Sequence, residues 1–193
     1  MRVISGNLRG KRLFAPKGQE LRPTSDRVKE AIFDILQDQF QGQNVLDLFA
    51  GTGALGIECL SRGASKAVFV EESPRSLSVL RRNIEECRLK EQAEVLGRKV
   101  LPALKILEAR EEVFGLIFLD PPYDKGEARR VLEVLSKSSI LTPGTLVVAE
   151  HSLSEGIDSI PALQRIDLRK YGRTLVSFFR PGKSRTDPVP SFK

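Results

Sequence analysis

Two short stretches hold residues whose types and spacing suit chemistry. The first, GLIFLDPPYDKG at residues 115 to 126, ends an apolar run on Asp120, Pro121, Pro122 and Tyr123. Each proline fixes its own φ and drives the residue before it into extended backbone, so Asp120 and Pro121 have little freedom. Neither proline has an amide to donate. A carboxylate, a fixed carbonyl and an aromatic face remain. Two acceptors side by side suit an exocyclic amino group of a base, which offers two N–H donors, and Tyr123 gives the ring a stacking surface. The competing reading is a bare turn, because Asp-Pro is common in turns. A four-residue string of this kind after a buried strand argues against it.

The second stretch, NVLDLFAGTGALG, places Gly51, Gly53 and Gly56 in a G-x-G-x-x-G spacing between a strand and a helix, with Glu71 twenty residues past Gly51 at the end of the next strand. Spacing alone satisfies the dinucleotide fingerprint. Charge argues otherwise. A pyrophosphate at a helix N-terminus wants positive potential, yet Asp47 sets a carboxylate at the mouth of the same loop, where an anion is repelled. A ligand with an ammonium and a sulfonium is welcomed there, and S-adenosyl-L-methionine is such a ligand. Glu71 would then serve the ribose hydroxyls, which both cofactors share.

These residues need a frame. From residue 44 onward, short apolar strands alternate with helix-patterned segments, the pattern of a parallel sheet covered on both faces. NVLDLF, KAVFVEE, AEVLG, GLIFLD and GTLVVAE read as five strands, with helices at about 54–61, 74–88, 100–109 and 126–137. Ser73 before Pro74 is a good helix start, a capping hydroxyl followed by a residue with no amide to lose. LQRIDLRKYG and RTLVSFFRP flank Gly172 and should pair as an antiparallel hairpin. The expected fold is α/β, Rossmann-like, with a mixed seven-stranded sheet containing one antiparallel strand. Asp47, Glu71 and Asp120 then fall at carboxyl ends of strands, where open α/β sheets bind ligands.

Ahead of the sheet, RVISG and KRLFAP suggest a small basic hairpin, followed by the helix TSDRVKEAIFDIL with Val28, Ala31, Ile32 and Ile35 on one face. The expected division is a basic extension at 1–24, a main domain at 25–181 and a tail at 182–193, which has too little apolar content to pack and is expected to be mobile. The net charge of +6 is unevenly spread: residues 1–30 hold eight Lys/Arg and three Asp/Glu, residues 165–193 hold eight and two, and the centre holds fifteen and twenty. Basic ends over an acidic centre suit a polyanion laid across a small-molecule domain. Cys59 and Cys87 lie in helix-like segments with no C-x-x-C spacing, so neither a disulfide framework nor a metal site is indicated. No run approaches the roughly 18 apolar residues of a membrane helix, and the N-terminus lacks a signal-peptide apolar region, so a cytoplasmic monomer with no membrane partner is expected.

The strings DPPY and DLFAGTGALG together resemble class I S-adenosylmethionine-dependent methyltransferases that act on exocyclic amines of bases. RVISGNLRGKRL followed by LRPTSDRVKEAIFDIL resembles the RsmD family of bacterial 16S rRNA guanine-N2 methyltransferases, over roughly residues 2 to 180. The N-terminal string is the most specific marker and the glycine loop the least. The resemblance implies that Asp47, Phe49, Gly51, Gly53, Glu71 and Asp120 hold the cofactor. It implies that Asp120, Pro121, Pro122 and Tyr123 hold the target amine. Arg9, Lys11, Arg12 and Arg22 are the expected contacts to RNA phosphates, and 16S rRNA or the assembling small subunit is the expected partner.

One departure stands out. Relatives usually carry an acidic residue after the third strand that contacts the adenine amino group, whereas VLGRKVL puts Arg98 and Lys99 there. A cation cannot accept that hydrogen bond, so adenine binding falls to backbone groups or apolar walls, or cofactor affinity is low, or activity has been lost. His151, the only histidine, reads as a solvated strand end rather than a base. Two rivals stay open: adenine-N6 methylation of DNA, since DPPY serves both amines, and a non-catalytic RNA-binding or ribosome-assembly factor that keeps the fold.

Overall fold

The computed structural model describes residues 1–15, 26–37, 39–122, 126–155, 157 and 159–182. Arg22, Tyr123, the RPTS part of the N-terminal string and the tail from 183 lie outside the described residues. Helix α1 (Asp26–Leu36) is followed by strand β1 (Asn44–Leu48), helix α2 (Ala54–Ser61), β2 (Lys66–Glu71), α3 (Pro74–Glu86), β3 (Ala93–Gly97), α4 (Val100–Ala109), β4 (Phe114–Leu119), α5 (Glu127–Leu135), β5 (Leu141–Ser152), β6 (Leu163–Tyr171) and β7 (Thr174–Pro181). The sheet order is β3-β2-β1-β4-β5-β7-β6, with β7 antiparallel to both neighbours and the first five strands parallel.

Period-two burial sorts the central strands onto two faces. Val45, Ala67, Phe69, Leu116, Phe118 and Val148 meet α1, α2 and α3, while Leu46, Val68, Val70, Ile117, Leu119 and Val147 meet α4 and α5. Because both faces are covered, the parallel strands are continuous apolar runs rather than alternating ones. Ser73 caps α3 as expected, its hydroxyl accepting from the Ser76 amide at 3.4 Å with proline at the first helical position.

Two expectations are corrected. The buried face of α1 is Val28, Lys29, Ile32, Phe33 and Leu36, with Ala31 and Ile35 only half-buried. The stripe is rotated because Lys29 is drawn inward to a buried carboxylate, Glu58 of α2, 3.4 Å away. The N-terminal segment forms the expected hairpin, with an antiparallel bridge between Arg2 and Arg12 and main-chain bonds from Val3 N to Lys11 O, Gly10 N to Val3 O and Leu13 N to Met1 O. The body holds it as well: Glu58 accepts the amides of Ile4 and Ser5 at 2.8 and 2.9 Å, Ser61 accepts the Leu8 amide at 2.9 Å, and Val3 and Leu13 are buried in the core under α1 to α3. His151 is not a solvated strand end but 3% exposed, with Nε2 2.9 Å from Ser177 Oγ across the β5–β7 pairing. The antiparallel strand β7, paired beside β5, supplies that partner.

Candidate functional site

The parallel register fixes where the carboxylates lie. Leu48 of β1 pairs with Val70 of β2 and with Leu119 of β4, so the next residue on each strand, Glu71 and Asp120, flanks Phe49 on either side. Two strand spacings separate them, roughly 10 Å. Asp47, Glu71 and Asp120 alternate in phase with Val45, Phe69 and Phe118, so all three belong to the face covered by α1 to α3. The chain leaves β1 through Phe49 at φ 60, an uncommon left-handed geometry for a bulky residue, which turns the loop across the strand ends.

Asp47 is 2% exposed and its Oδ2 accepts the Gly56 main-chain N–H at 3.0 Å. Gly56 is the third residue of α2, so a carboxylate already occupies one of the free amides at this helix N-terminus. The place where a pyrophosphate would gather amides is taken by a negative charge from the strand itself. Burial pushes the Asp47 carboxyl up to about 7, the Gly56 amide opposes that, and nearby Glu71 adds to it. A cation arriving beside Asp47 relieves both burial and repulsion.

Glu71 organises the loop. Its two oxygens accept the amides of Gly51 and Ser73, both at 2.8 Å, tying the glycine turn to the start of α3. A carboxylate has about four acceptor positions, so capacity remains for ligand hydroxyls. The glycines differ in kind. A Cβ at Gly56 would lie 2.3 Å from Phe69 Cε1, and one at Gly53 would lie 2.4 Å from Leu80 Cδ1, so those positions serve packing. At Gly51, with φ +55, a Cβ would meet nothing nearer than Phe49 O at 3.9 Å. The space over Gly51 is a cradle that a side chain would fill. An open cradle beside two carboxylates, with no basic residue from 49 to 56, fits a cationic nucleoside such as S-adenosylmethionine better than a dinucleotide.

Asp120 continues the ladder one residue past β4, its amide donating to Leu48 O at 3.5 Å. It is half-buried, Pro121 is buried and Pro122 is exposed, so the chain emerges from the sheet at this dipeptide. Arg98 and Lys99 are exposed beyond β3. Arg9 and Arg12 are exposed and Lys11 is half-buried, with Lys11 Nζ 3.9 Å from Glu86.

Asn83 escaped the sequence reading. It is fully buried in α3, its Oδ1 accepts the Phe14 amide at 2.8 Å, and its Nδ2 donates to Phe14 O at 3.1 Å and to Thr52 O at 2.9 Å. The signal was present: Leu80, Asn83, Ile84 and Cys87 follow helical spacing, and a poor helix former on that apolar stripe marks a satisfied polar role. Arg82, beside it in sequence, places its guanidinium 3.5 Å from the Phe14 ring centroid.

Known proteins resemble this chain over most of its length. The family model described as Conserved hypothetical protein 95 matches residues 1–180. The chain is 36% identical over 151 residues to the Haemophilus influenzae protein named Ribosomal RNA small subunit methyltransferase D, covering 78% of each. Among solved structures it is similar to the hypothetical protein TTHA0928 of Thermus thermophilus, at 30% identity and a TM-score of 0.78, covering 92% of this chain and 98% of that one. It shares its fold with SMU.776, solved in complex with SAH, at 16% identity and a TM-score of 0.60, over 76% of this chain and 48% of that one.

Proposed function

This chain belongs to the RsmD family of rRNA methyltransferases, and we propose that it methylates the exocyclic N2 amine of a guanine in 16S rRNA, with S-adenosyl-L-methionine as donor. The observation that carries the reading is the Asp47 carboxylate on the Gly56 amide, beside Glu71 and an open Gly51. It supports a cationic cofactor over a phosphate-bearing one. When bound, S-adenosylmethionine supplies a methyl group on a positively charged sulfur.

Asp47 and the loop amides hold the amino-acid end of that cofactor, and Glu71 receives the ribose hydroxyls. Asp120 and the Pro121 carbonyl accept the two N–H groups of the target amine. Those contacts localise a lone pair otherwise delocalised into the base and aim it at the cofactor side of the cleft. Proximity and fixed acceptors carry most of the rate. No strong base is needed, because the amine becomes acidic only after transfer, and its proton then passes to the Asp120 carboxylate or to water. Tyr123 stacks on the base.

The test is single-turnover methylation of small-subunit rRNA and of small subunits with labelled S-adenosylmethionine, followed by mass spectrometry of nucleosides. N2-methylguanosine is expected. N6-methyladenosine would replace the guanine reading with its adenine rival, and cofactor binding without transfer to either substrate would favour a non-catalytic assembly factor.

A further inference from the structure

Resting on that reading, we infer that Asn83 is a positioning residue that couples the N-terminal segment to the cofactor loop, so that RNA and cofactor strengthen each other's binding. The N-terminal segment carries Arg2, Arg9, Lys11 and Arg12, and it ends its described course at Phe14 and Ala15. The glycine loop carries Gly51, Thr52 and Gly53. A buried side-chain amide joins the two, beside a longer contact from the Thr52 hydroxyl to Met1 Sδ at 4.0 Å. Asn83 pairs with both polar groups of the Phe14 backbone, as a neighbouring strand would, and spends its second amide hydrogen on the Thr52 carbonyl.

The amide's geometry makes the joint stiff. Its plane is fixed by two bonds to one residue, so displacement of the Phe14 backbone rotates the group and misaligns the third bond. Thr52 lies between Gly51, held by Glu71 at 2.8 Å, and Gly53, whose amide donates to Ala50 O at 2.7 Å. The loop is thus braced from β2 through Glu71 and from α3 through Asn83, and the second brace is shared with the basic segment. Arg82 stacked on Phe14 and Glu58 holding Ile4 and Ser5 make the segment move with α2 and α3 rather than by itself. Anything that orders the loop orders the segment, and each ligand lowers the conformational cost of the other. The coupling must be reciprocal.

The test begins with the unaltered protein. Affinity for S-adenosylhomocysteine is measured by calorimetry with and without a saturating 16S rRNA fragment, and RNA affinity with and without S-adenosylhomocysteine. Equal gains of about 5- to 150-fold in both directions are expected. Asn83→Asp keeps the acceptor for the Phe14 amide but loses both donors, and should bring that ratio to near one. A purely structural asparagine would lower stability and both affinities while leaving the ratio intact, which would overturn the inference. Should this variant fail to fold, hydrogen exchange in the unaltered protein decides: S-adenosylhomocysteine alone should slow exchange of the Phe14 amide, and unchanged exchange refutes the coupling. Failure of the functional reading looks different, as no binding of S-adenosylhomocysteine at all.

Discussion

Lys29 Nζ lies 3.4 Å from Glu58 Oε2, and the two side chains are 1% and 0% exposed. Glu58 also accepts from Arg62 Nε at 2.8 Å, and Lys29 donates to Arg2 O at 2.6 Å. A charge this deep is tolerated only because every neighbour answers it. Glu58→Ala should destabilise by about 3–5 kcal/mol, since it strands the Lys29 ammonium and leaves the Ile4 and Ser5 amides unmatched. Urea unfolding measures this. Combining it with Lys29→Met should cost less than the sum of the single changes, and strict additivity would mean the pair is not coupled.

The Asp47 carboxyl, raised from 3.8 to about 7, ties stability to pH. The folded state holds this proton more tightly than the unfolded chain does, so its contribution lowers stability as pH rises from about 4 to about 7, and the penalty is complete above that. Asp47→Asn still offers an acceptor to the Gly56 amide and removes the penalty. It should match the parent near pH 4 and exceed it at pH 8 by on the order of 4 kcal/mol, about 1.4 kcal/mol for each of roughly three pH units. Cofactor affinity should move the other way. In the parent it rises with pH through about 7 as Asp47 ionises to meet the ligand's ammonium, and in the Asn variant calorimetry should find it weak at every pH.

The loop glycines separate folding from binding. Gly51→Ala meets no protein atom within 3.9 Å and bears only the strain of φ +55, about 1–2 kcal/mol. Gly56→Ala presses on Phe69 and Asp47 at 2.3 and 3.2 Å. Thermal unfolding should show the second variant far more damaged, while calorimetry should show the first folded but deficient in cofactor binding. A Gly51→Ala protein with normal cofactor affinity would remove the cradle from the site.

The sheet was legible because its strands are short apolar runs punctuated by glycine and proline. AEVLG is β3 residue for residue, and the LQRIDLRKYG and RTLVSFFRP pair turns at Gly172 as its positive φ requires. Asp47, Glu71 and Asp120 were legible as carboxylates closing strands. Long-range pairing was not. Nothing local tells that Glu58 holds Ile4 and Ser5, more than fifty residues away, or that His151 meets Ser177 of β7. Lys29 shows the physical reason: periodicity reads hydrophobicity, and a cation whose partner lies on another helix looks solvated until the fold brings them together.

If Arg9, Lys11 and Arg12 touch RNA phosphates, each charge-removing substitution should weaken RNA binding uniformly across sequences. The slope of log affinity against log salt should become shallower by about one unit for each phosphate left unneutralised. Arg9 and Arg12, both exposed, should show the full effect, and Lys11, near Glu86, less of it. Unchanged slopes in all three would move the RNA-binding surface elsewhere, with the basic β6–β7 hairpin the next place to substitute.

Asp120 offers the sharpest separation of binding from chemistry. Its backbone is held between the ladder bond to Leu48 and the Pro121–Pro122 pair, so its carboxylate is presented from a fixed main chain. Removing one such preorganised acceptor typically costs about 2.7–4 kcal/mol, or about 10² to 10³ in rate. Asp120→Ala should therefore cut single-turnover transfer by about that factor while S-adenosylhomocysteine affinity changes far less, because the proposed function assigns most of that ligand's contacts to Asp47 and Glu71. Asp120→Asn, which keeps an acceptor but loses the charge, should fall between. Near-normal transfer by Asp120→Ala would reduce the two prolines to a rigid exit from β4 and leave the amine to be held by other groups.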